Sequence, residues 1–145
     1  MSIDLEVDGE GIASAALRMA IDYSKDRQVF GGPLADKQAI QWMIADSEME
    51  LRAARLLIWQ AAWTADLGRD PKVDASIAKV VATETAGRVV DRCVQILGGM
   101  GVAHEMPLER WYRELRIKRI GEGPSEVHRL VVARHLLGAA ARDSR

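Results

Sequence analysis

Glu122 stands between two glycines in the stretch "IGEGPSEVHR", Ile120 to Arg129, just ahead of a proline. A carboxylate excluded from water has its pKa raised toward working pH, as a general base for proton removal requires. The flanking glycines, Gly121 and Gly123, free the backbone and leave room for a bulky ligand, which makes Gly123 a candidate substrate-contacting position. The same stretch also reads as an ordinary helix start. Gly123 can cap the helix, Pro124 suits its first position, and Glu126 sits where a carboxylate favours the positive end of the helix dipole. Spacing alone leaves both readings of Glu122 open.

Other chemistry-bearing residues are fewer. "GGMG", Gly98 to Gly101, follows a helical pattern rather than a strand, so it is not a dinucleotide-binding turn. It reads as a helix end with left-handed glycines, or as bare backbone that a ligand approaches closely. "KDRQVFGGPL" joins Arg27, a fork of donors suited to phosphate oxygens, to Phe30 at a helix end. Phe30 either faces outward or staples the turn into the core. Arg110, Arg113 and Arg116 recur at steps of three, a stripe that meets phosphates or pairs with Glu109 and Glu114 on a solvated face. No glutamate lies three residues before His104, His128 or His135, so the di-iron bundle pattern is missing and no metal site is expected. Cys93, on an apolar helix face, reads as a buried, inert thiol.

These residues hang on helices. Ile12, Ala16, Met19 and Tyr23 predict a first helix from about Ile12 to about Val29, stopped by Gly31 to Pro33. A second segment runs from about Leu34 to Leu67. Ile40, Ile44, Ser47, Leu51, Ala54, Ile58, Ala61 and Ala65 form one row. Trp42, Met49, Leu56 and Trp63 form another at steps of seven. Two rows on one helix mean partners on two sides. "GRDP", Gly68 to Pro71, reverses the chain into a third helix ending near Leu97, with Val73, Ile77, Val80, Val81, Ala86, Val89, Val90, Cys93, Val94 and Leu97 on its apolar face. A short helix around Leu108 to Ile117 and a last one from Pro124 to about Leu137 complete an all-α, antiparallel four-helix bundle. Residues 1–11 form a polar lead, 12–138 the bundle domain and 139–145 a polar tail.

The composition fits that class. The 145 residues suffice for one domain with a real core, and 48% apolar with 28% charged residues is ordinary for a globular protein. A formal net charge of −1 argues against a nucleic-acid-binding surface. One cysteine excludes an intramolecular disulfide and suits a reducing, cytoplasmic setting. No apolar run reaches membrane-spanning length, and the start of the chain lacks the features of a signal peptide.

Five stretches in order, "DRQVFGGPLADKQAIQ", "AARLLIWQAAW", "ASIAKVVATETAGRVVDRCVQILGGMGV", "MPLERWYRELRI" and "IGEGPSEVHRLVVARHLL", give the chain a specific resemblance. From about Ile12 to Gly138 it resembles the C-terminal helical domain of FAD-dependent acyl-CoA dehydrogenases. The resemblance implies a four-helix bundle that forms the core of a homodimer or tetramer, with FAD held between subunits. It matches Arg27, Phe30 and Gln38 to the segment that contacts a neighbouring subunit's FAD. It matches Gln95, Gly98 and Gly99 to the segment against the adenosine diphosphate part, and Ser125 and Glu126 to positions beside the flavin. Glu122 matches the catalytic base, which takes the α proton of an acyl-CoA while hydride leaves the β carbon for flavin N5. Its backbone N–H helps polarise the thioester carbonyl.

Family enzymes carry a helical and a β domain ahead of this one, and neither has a counterpart in these residues. The expectation is therefore a domain for assembly and flavin contact, inactive by itself, with a separate chain as one possible source of the other domains. The alternative is a non-catalytic helical dimerisation module. Two positions depart from the family pattern. Gly121 stands where many members have tyrosine, and Pro124 replaces a threonine or serine, removing a hydroxyl and an N–H.

Overall fold

The computed structural model describes residues 4–138. Its helices are α1 (Asp4–Asp26), α2 (Gln38–Asp66), α3 (Lys72–Leu97), α4 (Leu108–Lys118) and α5 (Ser125–Leu137). A two-stranded hairpin, β1 (Gln28–Val29) and β2 (Gly32–Pro33), joins α1 to α2. The all-α bundle expected from the periodicity is the architecture found.

α3 is its axis, and every other helix packs against it. Side-chain contacts between α2 and α3 run Ser47 to Arg92, Glu50 to Arg88 and Thr64 to Asp74. One number falls as the other rises, so the two helices are antiparallel. α1 and α2 meet at Glu10 and Arg55, far from the hairpin that connects them, and are antiparallel too.

The main apolar core joins α1, α2, α3 and α4 through Ala13, Ala16, Leu17, Leu51, Val89, Val90, Leu108 and Leu115. A second cluster, Ala54, Ile58 and Ala61 of α2 against Ala75, Ala78 and Ala82 of α3, lies toward the α2–α3 turn. Small side chains there let the two backbones come close. Each fully buried leucine contributes roughly 1.5–3 kcal/mol relative to exposure. No helix among the described residues is long and apolar enough to cross a membrane.

Three sequence expectations shift. α1 runs Asp4–Asp26: it begins well before Ile12, with tertiary contacts at Gly9 and Glu10, and stops short of Val29, which pairs in β1 instead. The Glu10 carboxylate takes the Ser14 hydroxyl and the Arg55 guanidinium, and Gly9 packs beside Leu115. In the first half of α3, the buried positions are Ala75, Ser76, Ala78, Lys79, Ala82 and Thr83, whereas Val73, Ile77, Val80 and Val81 are only half-buried. On α2, Ser47, Leu51, Ala54, Ile58 and Ala61 are buried as expected, but the second row faces outward: Trp42, Met49, Leu56 and Trp63 are all more than 60% exposed.

Glu50 locks the α2–α3 interface, receiving Arg92 at 2.7 Å and Arg88 at 3.0 Å. Burial acts to raise its pKa, but hydrogen bonds and charge from Arg92 and then Arg88 outweigh that and hold it below its ordinary value of 4.5. A depressed carboxylate stabilises the fold above its unfolded pKa and loses that contribution as pH falls through the folded one. Glu50→Gln is therefore expected to cost roughly 1–2 kcal/mol at neutral pH. Denaturant titrations across pH should show the gap to wild type closing as pH drops below 4.5.

Candidate active site

The loop that carries Glu122 is built from the end of α4. The Ile117 carbonyl accepts the N–H groups of Ile120 and Gly121, both at 2.9 Å, which ends the helix. Ser125 N–H then bonds the Arg119 carbonyl at 3.2 Å and closes the loop onto α5. In between, Glu122 sits at φ 53° and Gly123 at φ 98°. Positive φ is uncommon for a side chain such as glutamate and persists where surroundings over-determine it.

Those surroundings come from α3 and α5. Lys79, 2% exposed, donates from Nζ to the Gly121 carbonyl at 2.7 Å and to the Gly123 carbonyl at 3.3 Å. His128, also buried, places Nε2 3.4 Å from the Glu122 carbonyl and Nδ1 3.3 Å from Ser76 Oγ. Ser76 Oγ also lies 2.8 Å from the Lys72 carbonyl, so the tautomer of His128 decides which acceptor its proton serves. Three successive carbonyls thus turn inward while the Glu122 side chain is exposed. On the flank, Glu84 of α3 pairs with Arg129 at 2.8 Å and Arg119 at 3.7 Å.

Around Glu122, Glu126 is exposed on the first turn of α5, and Ser125 is buried with a hydroxyl that has no hydrogen-bond partner among the described residues. A second group of sequence-predicted residues gathers elsewhere. Arg27 is exposed beside the hairpin, Gln38 is exposed at the first residue of α2, and Gln95, Gly98 and Gly99 are exposed at the C-terminal end of α3. Phe30 and Gly31 form the two-residue hairpin turn with φ 48° and 80°, as a turn matching strand twist requires. Phe30 is 99% exposed, which excludes a staple into the core of this chain. A Cβ at Gly98 or Gly99 would meet nothing within 4 Å, so open space lies over that backbone. Lys79 and Gln95 are sixteen residues apart on α3, roughly 24 Å along its axis. One chain therefore carries two separated groups of candidate residues.

Several positions resolve toward structural roles. Arg110 pairs with Glu114 and Arg113 with Glu109 along α4. Burial pushes the Cys93 thiol up to about 12, which leaves it unreactive. Gly101 is a glycine for packing, since a Cβ there would lie 2.6 Å from the Val94 carbonyl. No metal-binding cluster occurs among the described residues. Sequence reasoning missed Lys79 and Ser76, and weighed His128 only as a metal ligand. The available signal was a lysine in step with Ala75, Ala82 and Ala86, on a face that excludes water.

The profile of the acyl-CoA dehydrogenase C-terminal domain matches residues 8–137. The chain belongs to the acyl-CoA dehydrogenase family. It is 50% identical over 127 residues to the mitochondrial short-chain specific acyl-CoA dehydrogenase of Bos taurus, covering 88% of this chain and 31% of that protein. Butyryl-CoA dehydrogenase from Megasphaera elsdenii superposes with a TM-score of 0.91 at 43% identity, covering 94% of this chain and 36% of the other. The FAD complex of PigA is more distant, with a TM-score of 0.85 and 27% identity over 88% of this chain and 33% of its own. The chain thus spans about a third of the length of these relatives.

Gly123 tests the tightness of this acyl-CoA dehydrogenase loop. An alanine Cβ would lie 3.0 Å from His128 Nε2 and would have to adopt φ 98°. Gly123→Ala is expected to destabilise the fold by about 1–3 kcal/mol in chemical denaturation and to shift the His128 ring resonances.

Proposed function

We propose that this chain acts as the FAD-contacting, subunit-joining C-terminal domain of an acyl-CoA dehydrogenase, with Glu122 as the base that removes the α proton of an acyl-CoA thioester. The observation that carries this reading is the exposed Glu122 on a loop where the carbonyls of Gly121, Glu122 and Gly123 are drawn to buried side chains. The Glu122 N–H, on the side opposite the Gly121 carbonyl, is free to donate to the thioester oxygen as charge develops there. FAD, when bound, supplies the acceptor for the hydride that leaves the β carbon. Because Glu122 is exposed in this chain, exclusion of water falls to the ligand and to surfaces that close over it.

The residues present fit a large cofactor shared between subunits. Exposed Arg27 offers donors to phosphate, Phe30 projects an aromatic face, and Gly98 and Gly99 leave their backbone open. Gln38 and Gln95 stand at the same end of the bundle. Ser125, Glu126 and the substrate-side Gly123 lie at the other group of residues, and the Ser125 hydroxyl lacks a partner among the described residues. Separation of the groups along α3 supports each chain contacting two flavins, one beside its own Glu122 and one reached across an interface.

The exposed row on α2 supports homo-oligomer formation. Trp42, Met49, Leu56 and Trp63 recur every seven residues, with Trp59 beside them at 60% exposure. A second copy is the occupant this reading assigns. The same row favours the alternative of a non-catalytic dimerisation module, which predicts assembly without flavin or substrate binding.

Two measurements separate these readings. With FAD, a C4 acyl-CoA, an electron acceptor and a protein supplying the two other family domains, turnover is expected. Glu122→Gln should then lower it by roughly 10²–10⁴-fold, and wild-type turnover by that variant would sink the base assignment. By analytical ultracentrifugation, Leu56→Gln with Trp63→Gln is expected to shift the chain to monomer without loss of helicity, and an unchanged oligomer would remove α2 from the interface.

A further inference from the structure

We propose that Lys79 and His128 are positioning residues for Glu122, fixing the peptide planes on both sides of it so that its carboxylate and its N–H face the same open side. The inference rests on the reading of Glu122 as the base.

No peptide bond here is cis, and in a trans unit the C=O and the following N–H point in opposite directions. The Gly121 carbonyl is directed at Lys79 Nζ, toward α3, so the Glu122 N–H is directed away from it. The Glu122 carbonyl is directed at His128, so the Gly123 N–H also faces away. Neither N–H makes a bond to another described residue. Pro124 has no N–H to compete. The clamp therefore presents two adjacent backbone donors beside the carboxylate.

Lys79 can enforce this because it has no other way to be satisfied. Its side chain is buried, in helical step with the buried Ala75, Ala82 and Ala86 of α3. Among the described residues no carboxylate lies within ion-pair reach of its ammonium, whose hydrogen bonds run to two loop carbonyls. Rotating the peptide between Gly121 and Glu122 would leave a buried cation with one long contact at 3.3 Å. The end of α4, where unpaired carbonyls favour a cation, is the natural place for that charge. His128 adds the second hold, on the carbonyl of Glu122 itself, and Gly123 is required because a Cβ would press on that ring.

The test is ¹⁵N relaxation on the full labelled chain. Wild type is expected to show rigid order parameters, about 0.85, at residues 121–123, and Lys79→Met to lower them below about 0.6 there while the core of α1 to α3 stays rigid. Lys79→Arg, which keeps donors, should restore at least part of the loop order. A visible Lys79 ammonium resonance, lost when the loop loosens, is the accompanying signature. If Lys79→Met fails to fold, His128→Leu, which is closer in volume than a phenyl ring, removes the nitrogens and should loosen residues 122 and 123. Unchanged loop order in the variant, or loosening spread evenly over α3 and α5, overturns the proposal. So does a loop that loosens in Glu122→Gln, since the carboxylate would then be what holds it. A rigid wild-type loop with full turnover in Glu122→Gln would sink the base reading alone and leave the clamp standing.

Discussion

A buried ammonium with no carboxylate nearby must find oxygen atoms, and in this protein it finds them in the loop that displays Glu122. Lys79 lies buried on α3, in helical step with alanines whose side chains offer it no polar atom. The two carbonyls it takes belong to Gly121 and Gly123. The arrangement links core packing to the candidate chemistry.

The direction of that link matters. A loop between two helices is ordinarily among the softer parts of a domain, because few buried contacts hold it. Here the loop is tied from below by Lys79 and His128, and on its flank by Glu84 through Arg119 and Arg129. Positive φ at Glu122 is tolerated because the carbonyls on each side are committed to buried partners. Strain of that kind is useful where a carboxylate and a backbone donor have to meet one substrate from fixed positions.

Surface features divide along the bundle. The hairpin aromatic and the open glycines at one end, the carboxylate some way along α3, and the tryptophan-rich row of α2 are all left uncovered by the chain itself. Their burial would require other polypeptide or ligand. Uncovered apolar rows of this size mark contact surfaces more often than solvent-facing ones.

Periodicity determined the helix count and most helix boundaries, because turns at "GGP", "GRDP" and "GGMG" and the α2 row of Ser47, Leu51, Ala54, Ile58 and Ala61 are local signals with a fixed repeat. Sequence also singled out Glu122 and, through five ordered stretches, the family to which the chain belongs. It did not show that α1 reaches back to Asp4, nor that Glu10 in that extension meets Arg55 from another helix. It did not separate outward from inward for Phe30, because a two-residue hairpin turn at positive φ is a matter of pairing, not spacing. Nor did it find the roles of Lys79 and His128. A lysine in a helical row reads as solvated until another element is seen to close over it. The partners of Lys79 lie forty-two and forty-four residues away in sequence. Only the packing of α3 against the end of α4 and the start of α5 gave this glycine-flanked glutamate a backbone whose carbonyls are bonded to buried side chains.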